Sequence, residues 1–314
     1  MRAAPLRGLG LEASGITNPY RSGVSGSSDT HTAAMSVDED NFFAKIGLLD
    51  STAILRGSVP IPEAMRSGFV STRDGTYRDA DGREFATGAV ETWGAAGLAA
   101  VWAERNTRDA IYAAFRRKET FATSGPRLRV RLFAGYDYGD SLLDSHDMAE
   151  QAYAGGVTMG SDIHADGERA PRFLAWATRD PDSAALQRLQ VVKGYLDENG
   201  QPQEQVYDVA CSDGLEVNPD SHRCPDNGAV VNTADCSITA GVGAAELKAL
   251  WSDPDFEPAQ RAFYYVRALE NPTCRWSTWD AVRAGVEPRD DLHTTIQERA
   301  WSSPIWYLPA SSRK

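Results

Sequence analysis

Residues 127–133 read RLRVRLF. Apolar and charged residues alternate there, the period expected of a strand with one face buried and one face wet. The same texture recurs in RFLAWATRD (172–180), LQRLQVVKGYL (186–196), EQVYDVA (204–210) and RAFYYVRALE (261–270), with turn residues between them. Antiparallel sheets packed face to face produce such a series. The texture begins after Ser124-Gly125-Pro126, so the sequence predicts a boundary there.

Upstream of that boundary the signals differ. NTRDAIYAAFRRKETF (106–121) reads as a helix with Asn106 or Thr107 as N-cap, Ile111, Ala114 and Phe115 on one face, and charges that complement the helix dipole. GLAAVWAE (97–104) before it is short and apolar and reads as a buried strand, and YRSGVSGSS (20–28) as a further strand. VDEDNFFAKIG (37–47) and the long segment 56–85 are interrupted by Gly, Pro and Asp and read as irregular. The final IQERAWSSPIWYLP (296–309) reads as an extended strap. The expected organisation is an α/β piece over residues 1–125 and an all-β, β-sandwich-like domain over residues 126–314.

A chain of 314 residues can bury a core in each of two such units. Its net charge of −12 repels phosphodiester backbones, which argues against a nucleic-acid partner. No stretch reaches the length of about 20 apolar residues that a membrane span needs. The four cysteines, Cys211, Cys224, Cys236 and Cys274, all lie late in the chain without C-x-x-C spacing. That favours disulfides over zinc. Of the three possible pairings the reading favours Cys211 with Cys224 and Cys236 with Cys274; a mixed site using His222 matches no usual ligand spacing. Disulfides imply an oxidising location, periplasmic or secreted.

Phosphate-binding G-x-x-x-x-G-K-[ST], H-E-x-x-H and G-x-S-x-G motifs are absent, and GVGAAE (241–246) lacks the third glycine of a dinucleotide turn. GSSDTH (26–31) is the best chemical candidate. A carboxylate and an imidazole at i and i+2 suit Zn²⁺, Mn²⁺ or Fe²⁺ where a strand runs into a loop, which makes Asp29 and His31 candidate metal ligands. The alternative for those two residues is a turn-capping aspartate and an exposed histidine. GSDIH (160–164) repeats the pattern, and Asp162 and His164 read as loop polarity.

The stretch NPYRSGVSGSSDTHTAAMSVDEDNFFAKIG (18–47) resembles domain-of-unknown-function family 3604, which is allied to the polymerase and histidinol phosphatase (PHP) superfamily of metal-dependent hydrolases. The likeness continues through 97–133, LQRLQVVKG (186–194), 253–281 and 296–309. The resemblance implies that Asp29 and His31 match the superfamily's last Asp-x-His metal motif, and that GSDIH has no counterpart. It also implies an opening His-x-His and further ligands, none of which this sequence contains. The chain therefore reads as the C-terminal fragment of a PHP-like (βα) barrel followed by the β-sandwich, with MRAAPLRGLGLE (1–12) as the tail of a barrel helix. Its partner is then the upstream half of the same barrel. The activity implied is hydrolysis of a small phosphate-type ester by bound divalent metal, with metal held weakly or not at all by this chain alone. A rival reading is a non-catalytic β-sandwich module that presents Trp176, Trp251, Trp276, Trp279, Trp301 and Trp306 to a carbohydrate or a partner domain.

Overall fold

A computed structural model of the chain describes residues 3–27, 29–33, 35–67, 75–87 and 93–310. The described residues form a mixed α/β structure dominated by strands in several sheets, with few helices. None of these strands closes into a barrel.

The alternating segments become strands as expected. Arg129–Gly135, Arg172–Thr178 and Glu246–Ser252 join Val157–Thr158 in a four-stranded antiparallel sheet. A larger, eight-stranded sheet runs Pro202–Cys211, Leu186–Leu196, Ala262–Glu270, Arg299–Ser302, Thr120–Thr123, Ala99–Val101. It takes strands from both sides of Gly125. Its central strand Ala262–Glu270 pairs along one whole edge with Leu186–Leu196. On the other edge it pairs first with Ile305–Leu308 and then with Arg299–Ser302. The expected terminal strap is thus two ladder strands, broken at Ser303-Pro304, where proline has no N–H to give a ladder.

The two sheets pack face to face over one core. Val130, Leu132 and Ala134 with Phe173, Ala175 and Ala177 meet Leu189, Val191, Tyr264, Val266 and Ala300 from the opposite sheet. The outer face of the larger sheet is covered by the helix Ala3–Ala13, whose Leu9 packs on Val192, Phe263, Tyr265 and Trp306. This explains why Ala262–Glu270 is buried nearly throughout rather than at alternate residues.

The helix Arg108–Arg117 forms with Thr107 as N-cap, its hydroxyl accepting from the Ala110 N–H at 3.3 Å. Ala99–Val101 is the expected strand, but it is an edge strand and partly exposed rather than buried. Residues 21–27, expected as a strand, have no regular secondary structure and pair in no ladder. The irregular region carries 3₁₀ turns at Glu39–Asn41 and Gly47–Leu49, a one-turn helix Glu63–Arg66 and the hairpin Thr76–Arg78/Glu84–Ala86; its residues 68–74 lie outside the described set. Bidentate hydrogen bonds from Arg56 to Asp280, both 2.6 Å long and both residues buried, tie this region to the helix Trp276–Ala284.

Candidate functional site

Glycines let residues 21–27 lie close against the edge of the larger sheet. A Cβ on Gly26 would sit 2.4 Å from the Leu98 carbonyl oxygen and 2.9 Å from that of Thr123, so only glycine fits the approach. The Val24 N–H donates to Ser303 Oγ at 2.8 Å. The chain then turns out to solvent, and Asp29 takes a left-handed backbone (φ 52°), a conformation aspartate tolerates better than most residues.

A buried carboxylate braces the loop from behind. Asp50 accepts from the backbone N–H groups of Lys45 and Ile46 at 3.0 and 2.9 Å. The Lys45 carbonyl in turn accepts from the His31 N–H at 2.7 Å, and Lys45 Nζ lies 3.3 Å from Asp29 Oδ2. The Asp29 side chain is 76% exposed and His31 is exposed too, so both donors face outward from a fixed backbone. Among the described residues no three His, Cys, Asp or Glu side chains come together in a way that could hold a metal ion.

Behind the loop lies a cavity of about 420 Å³, whose walls include Gly26, Ser27, Thr30, Glu39, Lys45 and Arg275. Glu39 is the buried carboxylate of this wall. It accepts from the Ala95 N–H and the Trp276 N–H, each at 2.7 Å, and Arg275 Nη1 lies 3.4 Å away. Burial pushes its carboxyl above the usual value, a shift that Arg275 and the two N–H donors only partly offset. Arg275 also donates to the Trp93 carbonyl, and so does the Trp276 indole, at 2.9 Å. Neither Glu39 nor Arg275 was a sequence candidate. The one local trace was the acidic run inside the irregular stretch 37–47.

The second Asp-x-His is held differently from the expectation of a loop. Asp162–His164 is a short strand paired in parallel with Ile305–Leu308, because Ile163 enters the core between the sheets. Arg21 Nη1 donates to both Asp162 oxygens at 2.9 Å, while Arg21 Nε donates to Glu12 at 2.8 Å. Asp162 is thereby a structural partner of the N-terminal helix. Cys211 is bonded to Cys224 and Cys236 to Cys274, so none of the four is available as a thiolate ligand beside His222.

The sequence model of a family described as "Protein of unknown function (DUF3604)" matches residues 1–309. The chain belongs to the DUF3604 family. Neither a curated protein nor a solved structure matches this DUF3604 chain. Asp29 and His31, two exposed donors on a braced loop, adjoin a cavity with two cationic side chains, Lys45 and Arg275.

Proposed function

We propose that this DUF3604 chain contributes one corner of a metal-dependent hydrolase centre of PHP type, with Asp29 and His31 as ligands and a small phosphate-type ester as substrate. The observation that carries the reading is the outward presentation of both donors on a backbone held by Lys45 and Asp50, next to the cavity lined by Lys45 and Arg275. Two donors do not fill the first shell of Zn²⁺, Mn²⁺ or Fe²⁺. The described residues do not by themselves make a complete metal site. The remaining ligands belong, in this reading, to an upstream barrel half that packs against the Asp29 loop.

What these residues contribute by themselves is electrostatic. Lys45 stands against Asp29 and Arg275 against Glu39, so each cation of this wall is paired with a carboxylate and an ester group would meet ion pairs rather than a net positive charge. Two disulfides support an exported protein, periplasmic or secreted. No helix among the described residues is long and apolar enough to cross a membrane.

The test uses the product of the longest reading frame that contains this chain. Bound metal is measured by elemental analysis and hydrolysis with a nitrophenyl phosphate. Asp29→Ala and His31→Ala should each lower metal affinity by more than the about 10- to 100-fold that loss of an outer-shell partner costs and leave the circular dichroism spectrum unchanged, because both side chains are exposed. Unchanged metal content and rate in both variants would remove the reading. The carbohydrate-module alternative is not favoured: Trp276 and Trp306 are buried, and Trp176, Trp251, Trp279 and Trp301 are half-buried, so none of the six stands exposed on the surface.

A further inference from the structure

A buried ion pair crosses between the two sheets. Lys193 lies on the strand Leu186–Leu196 of the larger sheet, and Asp253 follows directly on Glu246–Ser252 of the four-stranded one. Lys193 Nζ stands 2.6 Å from Asp253 Oδ2, with the lysine side chain 2% and the aspartate side chain 0% exposed. Their surroundings are aromatic: Tyr207 and Tyr264 are buried, the Tyr195 ring lies 5.0 Å from Nζ, and Trp251 packs on both Tyr207 and Tyr264.

Taking two full charges out of water is costly even when they meet, and the cost is repaid only where their remaining hydrogen-bonding capacity is filled. The donor count here suits a different bond. An ammonium carries three donors. Among the described residues Nζ meets two oxygens, Asp253 Oδ2 and the Asp255 carbonyl, the latter also at 2.6 Å, and its third hydrogen is left to the Tyr195 ring. An amide nitrogen in the same place carries one hydrogen, which the Asp255 carbonyl accepts.

The Asp253 carboxyl is held in a way that favours attack on its carbon. Oδ1 accepts from the Asp255 N–H at 2.9 Å, a fixed donor where negative charge would develop. Oδ2 accepts from the Tyr264 hydroxyl at 2.7 Å as well as from the lysine, so two proton donors face the oxygen that would leave. Nζ, 2.6 Å from Oδ2, lies no more than one carbon–oxygen bond length further from Cγ. Fixed at that distance, amine and carboxyl react as one molecule rather than two, and the dry site withholds the water that would reverse the reaction.

We propose that Lys193 and Asp253 condense to an amide, a covalent tie between the two sheets, and that the ion pair is the arrangement of the reactants. One proton passes from Nζ to Oδ2. The amine lone pair attacks Cγ, which forms the Nζ–Cγ bond and places negative charge on Oδ1 against the Asp255 N–H. A second proton moves from Nζ to Oδ2, the Cγ–Oδ2 bond breaks with its electron pair, and that oxygen leaves as water while the Oδ1 carbonyl reforms. The third hydrogen stays on the amide nitrogen. Nothing is oxidised or reduced, and the two buried charges are lost together. The tie is separate from Asp29 and His31 and does not depend on their role.

Mass spectrometry of the 314-residue chain, denatured and with both disulfides reduced, tests the proposal. The intact mass should fall short of the sequence mass by one water. Trypsin should yield a branched peptide that joins the segment around Lys193 to the segment around Asp253, uncut after Lys193. Lys193→Met, which keeps the length of the side chain, should return the full mass. A wild-type chain of full mass that trypsin cuts after Lys193 would overturn the proposal. So would a water deficit that maps to any other residues, or one that persists in Lys193→Met. The peptide map is read on the wild-type protein alone, so the outcome stands whether or not the variant folds.

Discussion

Replacing Glu298 by glutamine should change how the stability of this protein depends on pH. Burial, reinforced by the nearby Glu39 carboxylate, pushes the Glu298 carboxyl up to about 7 from its ordinary value of 4.5, against the pull of Ser124, Arg275 and Arg299. Between those two values the folded protein holds a proton on Glu298 that the unfolded chain has released. The stability from that proton is complete below pH 4.5 and is lost as pH rises through about 7. At about 1.4 kcal/mol per pH unit, the wild-type chain loses about 3 kcal/mol from this group between pH 5 and pH 8.

Glutamine keeps the shape and an acceptor for Ser124 but carries no charge at any of these pH values. The variant should therefore gain about 3 kcal/mol relative to wild type on going from pH 5 to pH 8, whatever constant offset its amide introduces. Glu270, raised to about 8 by burial with a smaller contribution from Glu298, is present in both proteins. Removing the Glu298 charge eases its ionisation, which acts in the same direction. Urea denaturation followed by tryptophan fluorescence, at pH 5 and pH 8 with the disulfides intact, gives the four free energies required. A wild-type-to-variant gap that stays within about 0.5 kcal/mol across the two pH values would refute the assignment of a buried, ionising Glu298.

The buried Arg56–Asp280 pair should make the irregular region cooperative with the sheets. Arg56→Ala leaves Asp280 buried without its bidentate partner and should cost about 3–5 kcal/mol in the same urea assay. The disulfides should differ by loop length. Replacing Cys236 and Cys274 by serine, which opens a separation of 38 residues, should cost about 4 kcal/mol, against about 3 kcal/mol for Cys211 and Cys224 at 13 residues, measured by calorimetric Tm.

Much of the sandwich is readable from local alternation because its burial is one-sided: Val130 and Leu132 turn into the core while Arg129 and Arg131 do not. The readings that changed depend on contacts distant in sequence. Residues 296–309 look like a strap because Pro304 interrupts them, and only pairing with Ala262–Glu270 on both sides of that break makes them strands. GSDIH looks like a loop because three residues carry no periodicity, yet Ile163 has a place in the core and Arg21 has a use for Asp162. The Asp29–His31 pair is legible because its two donors are adjacent in the chain. Glu39 with Arg275, 236 residues apart, and Ser124 with Glu298, 174 apart, leave no local signature.

Those two long-range pairs also meet at one wall. Glu39 borders both the Lys45 cavity and a second one, of about 320 Å³, and Ser124 borders the first while its hydroxyl is bonded to Glu298 in the wall of the second. Gly125 completes the wall: a Cβ there would lie 2.8 Å from the Val37 carbonyl oxygen and 3.0 Å from Glu298 Oε1. The backbone that leads to Asp38 and Glu39 is thus packed directly on residue 125, and Glu39 is in turn pinned by the N–H of Trp276. Glu39 therefore joins the wall of the Lys45 cavity to the packing around Glu298.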